Sequence, residues 1–171
     1  TVNFTERKVK LSVLGLREVS ESLDQMPIDS EEELSIPVSP LHGIFILKLI
    51  SWEETLPNRE KDLLDLNQIL QTYWEVVEDE AYEHHLDLFD EEDFRIERTA
   101  ARILGRHIGN TVVRSPYLEQ RVFEILEKQT NQLDPPSPMM KKFSLLSRTP
   151  VENIQILLSH VLAGIKDQTL T

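Results

Sequence analysis

Three times along this chain a hydroxyl residue is followed by proline and then by apolar residues at helical spacing: Ser39-Pro40, Ser115-Pro116 and Thr149-Pro150. The hydroxyl offers an N-cap acceptor and a proline at the first helical position needs no N–H partner, so each pair predicts a helix start. After Ser39-Pro40, the residues Leu41, Ile44, Phe45, Ile46, Leu47, Leu49, Ile50 and Trp52 leave hardly any polar face, which predicts a central helix. Asn58 is the next expected cap, and Leu63, Leu66, Ile69, Leu70 and Tyr73 mark the buried stripe of a second helix. The acidic stretch that follows also carries Val76, Tyr82, Leu86, Leu88 and Phe89, which predicts helix and loop with one edge on the core. A further stripe, Phe94, Ile96, Ala100, Ile103, Leu104 and Ile108, is expected to start behind an Asp93 cap and to end near Asn110. The helix from Pro116 to about Thr130 should bury Leu118, Val122, Ile125 and Leu126.

Between Gln132 and Pro138 the density of proline predicts a loop, followed by a short helix over Met139 to Leu146. Val151 to Ile165 reads as an amphipathic helix with Gly164 as its C-terminal stop. Toward the N-terminus, Gly15 to Asp24 suits two short turns of helix and Met26 to Glu33 is turn-like. Leu34 to Val38 alternates as a short strand, with Pro37 favouring an edge. The fold expected is mainly α, a helical bundle with a short N-terminal β segment.

At 171 residues the chain is long enough for one compact unit with a real core. The longest apolar run, Ile44 to Leu47, stops at Lys48 and is far short of the roughly 20 residues of a membrane span, so a soluble protein is expected. The absence of cysteine excludes a disulfide framework, a thiolate nucleophile and a Cys-based zinc site, and fits a reducing cytoplasm best. The formal charge of −12 argues against nucleic acid as a partner, but ten of the acids lie between Glu75 and Asp93, where there is no Lys or Arg, leaving −2 for the remainder, so the total charge does not decide whether nucleic acid binds. The acidity is that of one surface.

Lys48 is the one charge on the most apolar helix, and a buried ammonium without a partner is costly. Its stem could simply pack on apolar surface with the ammonium in water. Otherwise it is an anion ligand. The next helix opens with Arg59, Lys61, Asp62 and Asp65; its two cations stand at the helix end that disfavours them, beside two carboxylates. Spacing supports equally a salt-bridge network joining this helix to the one carrying Lys48, and a phosphate and metal site. His84-His85 lies among Glu80, Glu83 and Asp87, with Glu80, His84 and Asp87 on one helical face, but without a third strong ligand a solvated acidic face is preferred and no metal site is assigned. His42, His107 and His160 have no visible catalytic partner, and the five glycines form no phosphate loop.

The string Leu47-Lys-Leu-Ile-Ser-Trp52, followed by Arg59-x-Lys61-Asp62-x-x-Asp65-Leu66, resembles a segment of predicted bacterial nucleotidyltransferases that reads L-K-L-I-A-W and then R-x-K-D-x-x-D-L. These belong to the polymerase-beta-like superfamily, on the branch that includes the nucleotidyltransferase toxins of abortive-infection toxin-antitoxin systems. The likeness continues through Glu80-Ala-Tyr-Glu-His-His85, Leu104-Gly-Arg106 and the last helix, and Ser12-Val-Leu-Gly-Leu16 resembles the family's V-L-G-F stretch.

The resemblance implies transfer of a nucleotidyl group from a nucleoside triphosphate, with Mg²⁺ held by carboxylates of a small sheet. Those carboxylates belong to a Gly-Ser pair followed by D-x-[DE], and to a third acid on a later strand. No Gly-Ser pair occurs here, and Glu53, Glu54 and Thr55 stand where an arginine often follows the tryptophan. What carries over is the helical half, the C-terminal part of an α+β enzyme lacking its catalytic sheet: residues 1–38 as a remnant of or linker from a catalytic domain, and 39–171 as the helical domain. The implied nucleotide-binding residues are Lys48 and Lys61 facing the triphosphate, Asp62 for base or ribose recognition or for orienting a lysine, and Asp65 with Arg59 in support.

No complete catalytic set is expected in this chain, which should not transfer nucleotides alone. Mg²⁺ and nucleoside triphosphate are expected only for the full-length enzyme, whose missing N-terminal domain would complete the triphosphate site. The alternative is a non-enzymatic helical binding or regulatory protein that holds a protein partner through its acidic surface.

Overall fold

The computed structural model describes residues 13–29, 34–54, 59–90, 94–131 and 135–169. Within them the chain is mainly helical: α1 (Leu16–Ser20), a hairpin of β1 (Asp24–Asp29) and β2 (Leu34–Val38), then α2 (Leu41–Glu53), α3 (Glu60–His84), a 3-10 turn (Leu86–Leu88), α4 (Ile96–Val112), α5 (Pro116–Asn131), α6 (Pro138–Ser147) and α7 (Val151–Thr169). Among the described residues no helix is long and apolar enough to cross a membrane.

The hydroxyl-proline pairs start helices by different means. Pro116 opens α5 as expected, its Ser115 carbonyl accepting from the Glu119 N–H. α2 instead starts one residue later, with Pro40 in the cap position and the buried Ser39 hydroxyl without a hydrogen-bond partner. α7 is shifted in the same way, the Pro150 carbonyl taking the Ile154 N–H at 3.2 Å. A fourth pair works by side-chain capping: Ser137 Oγ accepts from the Met140 N–H at 3.1 Å, with Pro138 first in α6. The proline-rich segment therefore ends by starting a helix rather than as loop. The expected caps Asn58 and Asp93 lie outside the described residues.

Two expectations fail at glycine and at the hairpin. Gly164 does not stop α7, which runs to Thr169. A Cβ on Gly164 would lie 2.0 Å from the Arg102 carbonyl oxygen, and one on Gly105 would lie 2.1 Å from that of Val161, so these glycines let two backbones touch. Gly109 in turn faces Ile165 and Gln168, so a step of four along α4 is a step of four along α7. The two helices are parallel, and α5 and α6 return the chain to the end from which α7 starts.

Met26 to Asp29, expected to be turn-like, belong instead to β1, which pairs antiparallel with β2 (Met26 opposite Ile36), with a register irregularity between Pro27 and Asp29. Met26, Ile28, Leu34 and Ile36 are all exposed on this ribbon.

The core is centred on α2, where Phe45, Ile46, Leu49 and Ile50 are buried, and continues through Leu63, Leu66, Leu70 and Tyr73 of α3 and Ile103, Leu104 and Ile108 of α4. α3 continues as one helix into the acidic stretch as far as His84, and the 3-10 turn follows it. There Val77, Ala81 and Leu88 are buried, while Val76, Tyr82 and Leu86 face water. α1 packs onto α2 through Val19, against which Gly43 leaves no room for a Cβ.

Because the obstacles at Gly105 and Gly164 are backbone atoms, Gly105→Ala and Gly164→Ala should each cost about 3 kcal/mol in urea unfolding. Gly109→Ala, whose nearest neighbour is the Gln168 side chain at 2.8 Å, should cost clearly less. Equal losses at all three would contradict the backbone-contact account.

Candidate functional site

Four of the five residues singled out on α2 and α3 converge. Lys48 lies just past the middle of α2, and the first turns of α3 bring up Asp62 and Asp65, three residues apart and so one turn from each other. Lys48 Nζ lies 2.9 Å from Asp62 Oδ1 and 2.6 Å from Asp65 Oδ2. Arg59 Nη1 reaches the other Asp62 oxygen at 3.3 Å. The Asp62 side chain is 4 % exposed against 30 % for Lys48, 31 % for Arg59 and 49 % for Asp65, so the buried acid holds two cations whose heads reach the surface. Burial would lower the Lys48 pKa, but the hydrogen bonds to Asp65 and Asp62 outweigh it and leave it above the ordinary lysine value. Lys61 is exposed and takes no part in these contacts.

A second polar cluster lies farther along α3, around His107. Tyr73 and Glu80 stand two turns apart on α3, His85 ends that helix, and α4 brings up His107. Tyr73 Oη is 2.8 Å from His107 Nδ1, and His107 Nε2 is 2.8 Å from Glu80 Oε1. His85 Nε2 approaches the same Glu80 oxygen at 3.3 Å, and its Nδ1 lies 2.8 Å from Arg106 Nη1.

The donors follow from the partners. An ionised carboxylate only accepts and a guanidinium only donates, so His85 carries its proton on Nε2 and accepts at Nδ1. A neutral His107 donates from Nε2 to Glu80 and accepts the Tyr73 O–H. His42, at the start of α2, packs edge-on to His107 with ring centroids 5.6 Å apart.

Electrostatics agree with that assignment. Burial would raise the Glu80 pKa, but the bonds from His107 and His85 lower it overall. Burial lowers His85, helped by the Arg106 charge and opposed by Glu80. His42 is pushed down to about 4, first by burial and then by His107. Tyr73 is raised by burial and by the Glu80 charge, and its hydroxyl, on a residue 2 % exposed, is no nucleophile.

Arg106 links this cluster to α7. Its Nε donates to Asp167 Oδ2 at 2.9 Å, its Nη1 to Asp87 Oδ1 at 3.0 Å and its Nη2 to the other Asp87 oxygen. Arg102, one turn earlier, grips both Asp167 oxygens at 2.8 and 2.7 Å.

The reading of Glu80, His84 and Asp87 as one face is thus corrected. His84 is 69 % exposed, and the chain leaves the helix at His85, whose backbone is no longer helical, so that His85 turns inward instead. His107 has no partner visible in the sequence, yet like Lys48 it is a polar side chain in apolar surroundings. Arg102, Arg106 and His107 interrupt the apolar run Ala100 to Ile108, and polar groups in such a run need partners.

Asp62→Ala should cost about 2 kcal/mol in thermal or urea unfolding, since it leaves two cations without their buried acid, and Asp65→Ala less than about 1 kcal/mol. Asp167 supplies a pH test. Burial would raise its pKa, but the bonds from Arg102 and Arg106 hold it below the ordinary aspartate value. A depressed folded pKa gives stability that is present above the unfolded value of about 3.9 and lost as pH falls through the folded one. Asp167→Asn should therefore be less stable than the natural chain at pH 7, by a margin that shrinks steadily below about pH 4. Comparison of the chain with protein-family models, with curated proteins and with solved structures gives no match in any of the three.

Proposed function

We propose that this chain is the helical part of a cytoplasmic nucleotidyltransferase, with the junction of α2 and α3 as the wall that faces the triphosphate. The observation that carries the reading is the Lys48 ammonium, fixed between Asp62 and Asp65 yet open to the surface beside Arg59. Two cations there meet two carboxylates, and the exposed Lys61 lies two residues after Arg59, on a chain of formal charge −12. Cations held in place by acids meet a phosphate without first having to be ordered, which is what phosphoryl chemistry draws on. The resemblance of this same segment to nucleotidyltransferases supplies the substrate class.

The junction does not fit a magnesium ion. Lys48 already stands between Asp62 and Asp65, and Asp62 gives its second oxygen to Arg59, so no oxygen cage is left. No step is assigned to a metal here, and nucleotide transfer by this chain alone is not expected.

A second reading, a helical module that holds a protein partner, has one observation in its favour. Val76, Tyr82 and Leu86 are exposed apolar residues set among the exposed acids Glu75, Glu78, Asp79 and Glu83.

Titration of the chain with nucleoside triphosphates, followed calorimetrically, tests the first reading. Binding should weaken by about 10- to 100-fold in Lys48→Ala, as expected for loss of one charged hydrogen bond to phosphate. Saturable binding that Lys48→Ala leaves unchanged would refute the wall, and turnover of labelled triphosphate by this chain with Mg²⁺ would refute its inactivity.

A further inference from the structure

We propose that Glu80, His85 and His107 form a binding site for one divalent transition-metal ion, with zinc the best match. One potential ligand atom from each of Glu80, His85 and His107 lies within 4.8 Å of the other two, and Glu80 Oε1 is 2.8 Å from His107 Nε2 and 3.3 Å from His85 Nε2. Zinc bonds of about 2.0–2.1 Å in a tetrahedron set neighbouring ligand atoms roughly 3.3 Å apart, close to these separations. Two imidazoles and one carboxylate are a donor set that suits zinc and its neighbours in the first transition series far better than magnesium or calcium, which take oxygen. The side chains of His85 and His107 are 11 % and 19 % exposed and that of Glu80 39 %, so two ligands are sheltered while the carboxylate side stays open to a water in the fourth position.

The surroundings hold the ligands in place. With its Nε2 on a metal, His107 carries its proton on Nδ1 and donates it to Tyr73 Oη at 2.8 Å, the kind of partner that orients a ligating histidine. His85 must likewise move its proton to Nδ1, where it meets an N–H of Arg106. That contact has to open, and Arg106 keeps Asp87 and Asp167 when it does. Glu80, Asp87 and Asp167 against Arg102 and Arg106 leave one net negative charge around the site with neutral histidines, so a dication enters a favourable field. The site does not depend on the triphosphate reading.

The test is a titration of the chelator-stripped chain with Zn²⁺ against a chromophoric chelator, and with Co²⁺ as a spectroscopic probe. One equivalent should bind, Co²⁺ should develop the visible absorption of four-coordinate ligation, and Zn²⁺ at a hundredfold excess over Kd should raise Tm by about 5 °C or more. His85→Gln and His107→Gln should each weaken binding at least about 100-fold, whereas His84→Gln, on the adjacent exposed residue, should leave it unchanged. If His107→Gln unfolds, because Tyr73 loses its acceptor, Glu80→Gln decides, since it preserves size and removes the ligand charge. Absence of a saturable single equivalent, natural affinity in His85→Gln or in Glu80→Gln, or equal weakening in His84→Gln would each overturn the proposal.

Discussion

The contact between α4 and α7 sets the positions of most other elements. Two helices normally lie about 8–10 Å apart because side chains keep them apart, and here Gly105 and Gly164 remove that spacer on both sides. The close approach fixes the register of two parallel helices and puts Asp167 opposite Arg102 and Arg106. It also makes α5 and α6 necessary as a return path. With α4 held on that side, its opposite face presents His107 to α3 and α2. The polar cluster on α3 thus depends on a glycine contact on the far side of α4.

The same electrostatic rule governs both polar clusters, in different degrees of burial. At Lys48 the acid is buried and the cations reach water, so removing a cation leaves the Asp62 carboxylate under-compensated in the interior, while removing the acid leaves cations that water can still reach. In the second cluster the Arg106 cation is sheltered, 11 % exposed, and distributes its donors over Asp87, Asp167 and His85. A guanidinium can do this because its N–H groups point along fixed directions in one plane, which an ammonium cannot match.

Helix number, order and core were legible because apolar periodicity and hydroxyl-proline starts are local signals. The Lys48, Asp62 and Asp65 junction was legible for a related reason. A lone charge on an apolar helix demands a partner, and the next helix offered one close in sequence. His107 and Glu80 are 27 residues apart, and Arg102 and Asp167 are 65 apart; no local pattern announces such pairs. Gly164 was misread because a glycine near the end of a periodic run has two meanings, chain reversal and close approach, which only the neighbouring helix separates. β1 was missed because Met26-Pro-Ile-Asp29 has turn-forming residues, and its strand exists only through pairing with β2.

α3 carries both clusters and acts as a ruler between them. Asp62 and Glu80 are 18 residues apart on one continuous helix, which at 1.5 Å per residue places them about 27 Å apart. That is well beyond a Debye length of about 8 Å at physiological ionic strength, so charge at one cluster is scarcely felt at the other through solvent. No single small ligand bridges such a span. The phosphate wall at Lys48 and the ligand triad at His107 are separate chemical propositions. A nucleotide bound at the first need not involve a metal at the second, and a zinc ion in the second would brace α3 against α4 whether or not the first ever meets a triphosphate.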